Sequence, residues 1–434
     1  MSTRKSMNRR DFLKTSVAAS AGVSLFTIIP ASAMGRGGKI APSNRITLGC
    51  VGVGGQGNSN LDAFLNEQDC QVIAVCDVDK NHLRDTKGKV DRRYRNTDCS
   101  PYADFRELIA RKDIDAISLC TPDHWHAVPA VLAASSGKDI FGEKPISHCL
   151  AEGRAMSDAV SKHSRIWQTG SWQRSVENFR MGCELVRNGR IGKIVKVEVG
   201  LPTGSPCGPV EFKDAPPELD YNFWVGPSRM MPYCDMRTHW NWRWQLDFGG
   251  GQMMDWIGHH LDIAHWGMDT DNTGPIEIEG QGNYPDTGIW DAATTYHFIC
   301  KYRNGVELHV ANGGNAGIRG GTKWIGENGN WVWVDRGGFD ANPKSLLAEK
   351  IGPDEHQLFR SPGHHRNFLD CVKSRQTTLA PAETAHRSAS VGHLGQIAMQ
   401  LGRKLHWNPD NETFAGDPAA TRMLSTPMRS PWHV

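Results

Sequence analysis

The 434 residues are 39% hydrophobic and 22% charged, an ordinary soluble composition, and they exceed the ~100–200 residues of one compact domain, so two domains are expected. The formal charge of +2 turns slightly negative once the basic first 33 residues are set aside, leaving no basic field for nucleic acid or an anionic membrane. Eleven cysteines without a CxxC pair, with Cys50, Cys76, Cys120 and Cys300 inside apolar runs, read as small core residues, and one or two bridges remain compatible.

The chain opens with an export signal over residues 1–33. Asn8-Arg9-Arg10-Asp11-Phe12-Leu13-Lys14 matches the twin-arginine pattern, a small and apolar run follows over 15–29, and Ala31-Ser32-Ala33 offers a cleavage site. The apolar run is shorter than the ~20 residues a spanning helix needs, so a periplasmic protein without stable membrane insertion is expected. Twin-arginine substrates fold before export, so no disulfide framework follows from an oxidising destination.

From residue 40 the pattern alternates strand and helix. A buried strand over 45–51 runs into Gly52-Val53-Gly54-Gly55-Gln56-Gly57, a helix follows over 58–66, and a second apolar strand over 72–76 ends in Asp77. That context makes GxGxxG a dinucleotide fingerprint. Gly52 permits the tight turn, Gly54 lets the backbone approach a pyrophosphate, Gly57 lets helix and strand pack, and Gly55 and Gln56 complete the turn at the helix N-terminus. Asp77 would accept the ribose hydroxyls and repel a 2′-phosphate, which favours NAD over NADP. Helix 104–110, strand 116–120, helix 127–136 and strand 139–141 continue a doubly wound parallel sheet over 40–165. Thr121-Pro122-Asp123-His124-Trp125-His126 and Gly142-Glu143-Lys144-Pro145 then fall at the strand ends where ligands bind.

From 166 to 434 the pattern changes. A strand is expected over 166–169, just ahead of the loop Trp172-Gln173-Arg174, and an alternating strand over 193–201. Paired strands over 294–302 and 306–311, and over 323–326 and 331–334, read as hairpins of a large, mostly antiparallel open sheet, with helices over 179–187 and 381–405 covering one face. The densest stretch is Gly249-Gly250-Gly251-Gln252-Met253-Met254-Asp255-Trp256-Ile257-Gly258-His259-His260-Leu261-Asp262-Ile263-Ala264-His265-Trp266. As a helix it sets Asp255 and His259 four apart on one face, where the carboxylate would orient the imidazole and support its protonated form. Two other readings stay open: a metal held by Asp255, His259, Asp262 and His265, and a structural histidine cluster. No metal is expected, because hydride transfer to a nicotinamide does not need one. Six tryptophans lie between Trp224 and Trp266, and Trp240 is the best candidate to stack on a sugar.

These residues resemble the Gfo/Idh/MocA oxidoreductase family over nearly the whole mature chain. The resemblance implies that Thr121, Pro122 and His126 line the cofactor site with Glu143, that Lys144 stands between nicotinamide and substrate, and that His259 of the D-x-x-x-H-x-x-D segment is the acid/base. It also implies a substrate-side loop at Trp172, Gln173 and Arg174, and a homo-oligomer formed through the open sheet. Three departures stand out: the family's glycine two places after the aspartate is Ile257, with Gly258 one later; His260 is additional and is assigned to substrate; and a long segment, about 202–248, precedes the motif.

The expected activity is oxidation of a secondary hydroxyl of a sugar, glycoside or polyol, glycoside 3-dehydrogenation among the options. Free NAD is scarce outside the cytoplasm, so a folded protein would carry its cofactor out and regenerate it in place. The alternatives are a redox-neutral NAD-dependent glycosidase or epimerase, and a sugar-binding protein with a vestigial cofactor fold.

Overall fold

The computed structural model describes residues 40–434, and the export signal lies outside the described residues. Residues 46–434 form one compact unit containing two large sheets. In the first, β1 (Ile46–Val51), β2 (Cys70–Cys76), β3 (Ser100–Tyr102), β4 (Ala116–Leu119), β5 (Asp139–Gly142) and β6 (Trp167–Thr169) lie in the order β3-β2-β1-β4-β5-β6, every neighbouring pair parallel. Alternate side chains of these strands enter two separate cores: Leu48 and Cys50 of β1 go to one and Val51 to the other. Burial on both faces is why the strands read as continuous apolar runs and not as alternating ones.

The second sheet comprises β7 (Ile194–Leu201), β8 (Glu277–Asn283), β9 (Thr295–Lys301), β10 (Glu307–Asn312), β11 (Gly321–Gly326), β12 (Trp331–Asp335), β13 (Gly338–Asn342), β14 (Leu405–Asn408) and β15 (Thr413–Phe414). Its order is β13-β12-β11-β7-β10-β9-β8-β14-β15, antiparallel except between β7 and β10. One face, with Val199, Phe298, Leu308, Val310 and Trp324, shares a core with side chains from helices Glu177–Arg187, Asp262–Met268 and Ala382–Leu401.

Three local expectations change. The strand expected to open the second part is β6, the last strand of the parallel sheet, so a boundary at 165 cuts that sheet; three residues carry too little periodicity to assign a strand to either side. The helix expected over 381–405 stops at Leu401, because Gly402 turns left-handed (φ 63°) to end it. The chain then pairs as β14 with β8. All eleven cysteines are free thiols, so no bridge forms. No helix among the described residues is long and apolar enough to cross a membrane.

The segment over 202–248 holds little regular structure and has its own small core of Leu219, Trp224, Val225, Tyr233, Trp242 and Phe248. It is tied to the carboxyl end of the parallel sheet: Trp125 Nε1 donates to Trp224 O at 2.9 Å, Lys80 N donates to Glu218 O at 3.0 Å, and Leu219 bridges Asp79. The inserted segment therefore roofs the strand ends where a ligand would sit.

Candidate functional site: a roofed cleft at the strand ends

A cavity of about 790 Å³ runs from the glycine turn to the helix that carries Asp255, within the ~300–1,000 Å³ range of ligand pockets. At one end β1 delivers the turn. Gly52 takes a positive φ of 77°, and a Cβ on Gly57 would lie 2.0 Å from Gly52 O, so only glycine lets the helix Gly55–Leu65 start this close to β1. No side chain caps that helix, and the space beside Gly55 is open, which leaves its first N–H groups facing the cavity region. Asp77 ends β2 with its carboxylate clamped: Oδ2 accepts from Val53 N and Oδ1 from Asp79 N, each at 2.9 Å. A carboxylate offers about four acceptor positions, and with His82 Nδ1 3.7 Å from Oδ2 as well, at least one remains for a ribose hydroxyl. Thr121 Oγ1, on the same wall, is buried without a partner. Gly52, Gly54, Gly55, Gln56, Gly57, Asp77, Thr121, Pro122, Glu143 and Lys144 all line this one cavity. A free helix N-terminus, a clamped acid and an orphaned hydroxyl fit NAD. Gly57→Ala is expected to weaken NAD binding at least about tenfold, because the added methyl must push helix from strand. Titration calorimetry with NAD reads this, and unaltered affinity would remove the turn from the site.

At the other end, Gly251–Trp256 is α-helical, Ile257–Leu261 makes one π turn, and Asp262–Met268 resumes the α-helix. The π turn accounts for the displaced glycine. Gly258 lies against Lys144, where a Cβ would come within 2.8 Å of the lysine's own Cβ, so the motif can hold Lys144 only with glycine there. Lys144 Nζ donates to both Asp255 O and Asp255 Oδ1 at 2.8 Å, and Arg243 Nε reaches the same Oδ1 at 3.3 Å. Burial opposes the Asp255 charge, but Lys144 and then Arg243 outweigh it, and the carboxyl stays below its usual range.

Asp255 therefore serves Lys144, and the expected Asp255–His259 pairing is not formed. His259 lines the cavity with Nδ1 unpartnered, and burial, then Lys144, drive its pKa well below 6.5, so it stands neutral. The π turn explains the miss, since it breaks the register that would have stacked residues four apart. The metal quartet is also dispersed: Asp262 is paired with Arg174, and His265 Nε2 meets Tyr302 Oη at 2.6 Å. Among the described residues, the group with ligand-like spacing is Asp79, His82 and His239, within 4.8 Å of one another near the ribose acid.

Other expected contacts divide. Trp172 and Trp240 line the cavity, Trp240 64% exposed with the Arg243 guanidinium 4.1 Å over its ring. Gln173, Arg174 and His260 do not line it. Gln173 is buried with both amide atoms unpartnered. Arg174 is 2% exposed, locked on Asp262 and Asp271. His260 faces Asp335 Oδ1 at 3.4 Å, its pKa pushed by burial to about 4 against the pull of that acid. His126 also leaves the wall: its ring nitrogens meet Pro145 O at 2.8 Å and Thr121 O at 2.9 Å, tying together the two loops that carry Thr121 and Lys144. Side chains of adjacent residues in a loop need not share a wall, which no spacing rule reveals.

Sequence reasoning missed Arg243, Asp123 and Arg336. Arg243 carried a signal, being set between Trp242 and Trp244. Asp123 follows Thr121-Pro122; it lines the cavity, and burial, then Asp255, raise its pKa well above the carboxylate range, so it is a neutral acid. Arg336 sits in what reads as a solvated hairpin turn, with no signal.

Residues 46–171 match the model of an oxidoreductase family's NAD-binding Rossmann fold, residues 184–434 that of the same family's C-terminal alpha/beta domain, and residues 6–26 that of the twin-arginine translocation signal. Among curated proteins, the myo-inositol 2-dehydrogenase of Thermotoga maritima is 30% identical over 176 residues, 40% of this chain and 47% of that protein. The alpha-N-acetylgalactosaminidase of Shewanella oneidensis is 28% identical over 217 residues, 44% of this chain and 45% of that one. The chain spans about half the length of the curated relatives it matches. Among solved structures, the WlbA dehydrogenase of Bordetella pertussis, in complex with NADH and UDP-GlcNAcA, superposes with a TM-score of 0.63 at 16% identity, covering 84% of this chain and 99% of that one. The aldose-aldose oxidoreductase of Caulobacter crescentus gives 0.59 at 16%, with 83% and 99% covered. At such identity the likeness is one of fold.

Proposed function

Because the chain belongs to the Gfo/Idh/MocA oxidoreductase family, binds NAD and carries a twin-arginine export signal, we propose that it is a periplasmic oxidoreductase acting on a secondary hydroxyl of a sugar, glycoside or polyol, with tightly held cofactor. The observation that carries this reading is the meeting of Lys144, Asp255 and a neutral His259 in the same cavity as the glycine turn. The nicotinamide, when bound, supplies the hydride acceptor. His259, neutral at physiological pH, accepts the proton of the substrate hydroxyl. Lys144 has three N–H donors, two of them engaged by Asp255, and its third steadies the oxygen as negative charge grows there. Asp255 is a positioning residue that holds Lys144, assisted by Arg243. The roof over 202–248 keeps water off the cleft and slows cofactor loss.

The test is to denature the purified mature protein, identify the released nucleotide, and then assay the native protein on a panel of glycosides and polyols for keto products. About one NAD(H) per chain together with a keto product is expected. Protein that releases no nucleotide and oxidises nothing would favour the vestigial sugar-binding alternative. The direction of the His259 shift sets a pH expectation. A histidine whose folded pKa is lowered stays neutral until pH falls below its ordinary value, so the acidic limb of kcat/KM lies below pH 6.5. A limb above pH 7 in a pH–rate profile would show that some other group is the base.

A redox-neutral glycosidase is the second reading, and Asp123 favours it. Transient oxidation acidifies the neighbouring C–H and lets the glycosidic oxygen leave, and a carboxyl kept protonated in the cavity could donate to that oxygen. Release of aglycone with no net change in bound NAD(H) would select it. A homo-oligomer packed through the open face of the larger sheet completes the proposal, and sedimentation of the mature chain reads it.

A further inference from the structure

Arg336 lies in the turn between β12 and β13 and lines the cavity at the Lys144 end. Its guanidinium lies over two aromatic rings, 4.3 Å from the Trp256 ring centroid and 5.0 Å from that of Trp172. The carboxylates around it are already engaged. Asp255 Oδ1 takes Lys144 and Arg243, Asp335 Oδ1 takes Arg336's own backbone N–H at 2.7 Å and faces His260, and Glu143 accepts from Asn60 and Gln56. Among the described residues no hydrogen bond or ion pair reaches the Arg336 guanidinium, whereas Arg243 has both. The Lys144 end of the cleft thus brings Lys144, Arg243 and Arg336 together with the carboxylates of Asp255, Glu143 and Asp335, and of these cations Arg336 is the one whose side chain makes no hydrogen bond to an acid.

A guanidinium set over two indoles, with Asp335 and Asp255 near enough to act on its charge but neither hydrogen-bonded to it, keeps its N–H donors open to an anionic ligand. Its planar fork matches a carboxylate through two parallel N–H···O bonds, and contact with two tryptophan rings restricts where that fork can move. We propose that the substrate carries a carboxylate, as in a glycosiduronate, and that Arg336 receives it. The inference rests on the sugar-oxidoreductase reading and narrows its substrate class. With the carboxylate at Arg336, the hydroxyls of the same ring are directed toward Lys144 and His259, and the exposed Trp240 offers a surface for the ring's C–H face.

The experiment uses the full mature chain loaded with NAD and matched pairs of methyl glycosides and methyl glycosiduronates in the gluco, galacto and manno series. Each is measured for binding by calorimetry and for reduction of the bound nicotinamide by absorbance. At least one glycosiduronate is expected to bind about tenfold or more tightly than its neutral partner, as a charge-assisted pair allows. In Arg336→Gln that ratio is expected to collapse by roughly 10–100-fold, and in Arg336→Lys to recover in part. Nucleotide content and melting temperature of each variant check that it is folded. Neutral glycosides binding as well as or better than every uronate, a sugar phosphate preferred to all of them, no binding of any uronate, or a ratio unmoved in Arg336→Gln would each overturn the proposal. Uronate binding that depends on Arg336 without reduction of the nicotinamide supports the carboxylate site and overturns the dehydrogenase reading. Oxidation of neutral sugars regardless of Arg336 does the reverse.

Discussion

Lys144→Met is expected to lower kcat by about 10²–10⁴-fold while leaving NAD bound. Methionine keeps the length of the stem, so it preserves the contact with Gly258 and removes only the ammonium group. Two things are lost together. The donor that steadies the developing alkoxide disappears, and Asp255, mostly buried, keeps Arg243 as its remaining cation at 3.3 Å. His259 should then titrate closer to its ordinary value, because one of the charges depressing it is gone, and the acidic limb of the residual activity should move up in pH. Steady-state kinetics with a pH profile, beside a nucleotide assay on the same preparation, measures both effects. Full turnover in Lys144→Met would remove the residue from the chemistry, and loss of NAD without loss of chemistry would make it a cofactor contact only.

Arg174→Met is expected to destabilise the fold by about 3–5 kcal/mol, the usual cost of removing one partner from a buried ion cluster. Arg174 and Asp262 are both 2% exposed, joined by Nε–Oδ2 and Nη2–Oδ1 contacts of 2.7 and 3.0 Å, and the same guanidinium reaches Asp271 at 2.8 Å and packs against the Trp266 ring. Without it two carboxylates face each other in a site where burial alone already lifts the Asp262 pKa. The cluster pins the loop after β6 to the helix that follows the π turn, so the damage is to stability and only indirectly to chemistry. Denaturant unfolding monitored by tryptophan fluorescence, with KM measured below the transition, separates the alternatives. A substrate contact would raise KM with stability intact, and that result would restore the role that the sequence resemblance assigns to Arg174.

The two residues show where local reading succeeds. The glycine turn, Asp77 and the strand-end loops are legible because their chemistry is built by neighbours in the chain: a strand, a tight turn and a helix start within a dozen residues, and each glycine answers to a backbone contact of its own segment. The position of Lys144 just past β5 was legible for a similar reason, whereas its role was implied only by the family resemblance. Arg174 was not, since its sequence neighbours Trp172 and Gln173 leave the loop in different directions, one to the cavity and one into the core.

By itself, the sequence determined the export signal, the parallel sheet, the preference for NAD and the largely antiparallel second sheet, because all of these follow from short-range periodicity, turn chemistry and charge. Only the tertiary structure decided which charge meets which. Asp255 and His259 were neighbours on a regular helix, and one π turn rotated them apart and gave Asp255 to Lys144, 111 residues away. The long segment over 202–248 had no fold assigned from its residues and became the roof of the cleft. Ion pairs and cavity walls join residues from distant segments, and their partners are set by packing, which a linear pattern does not encode.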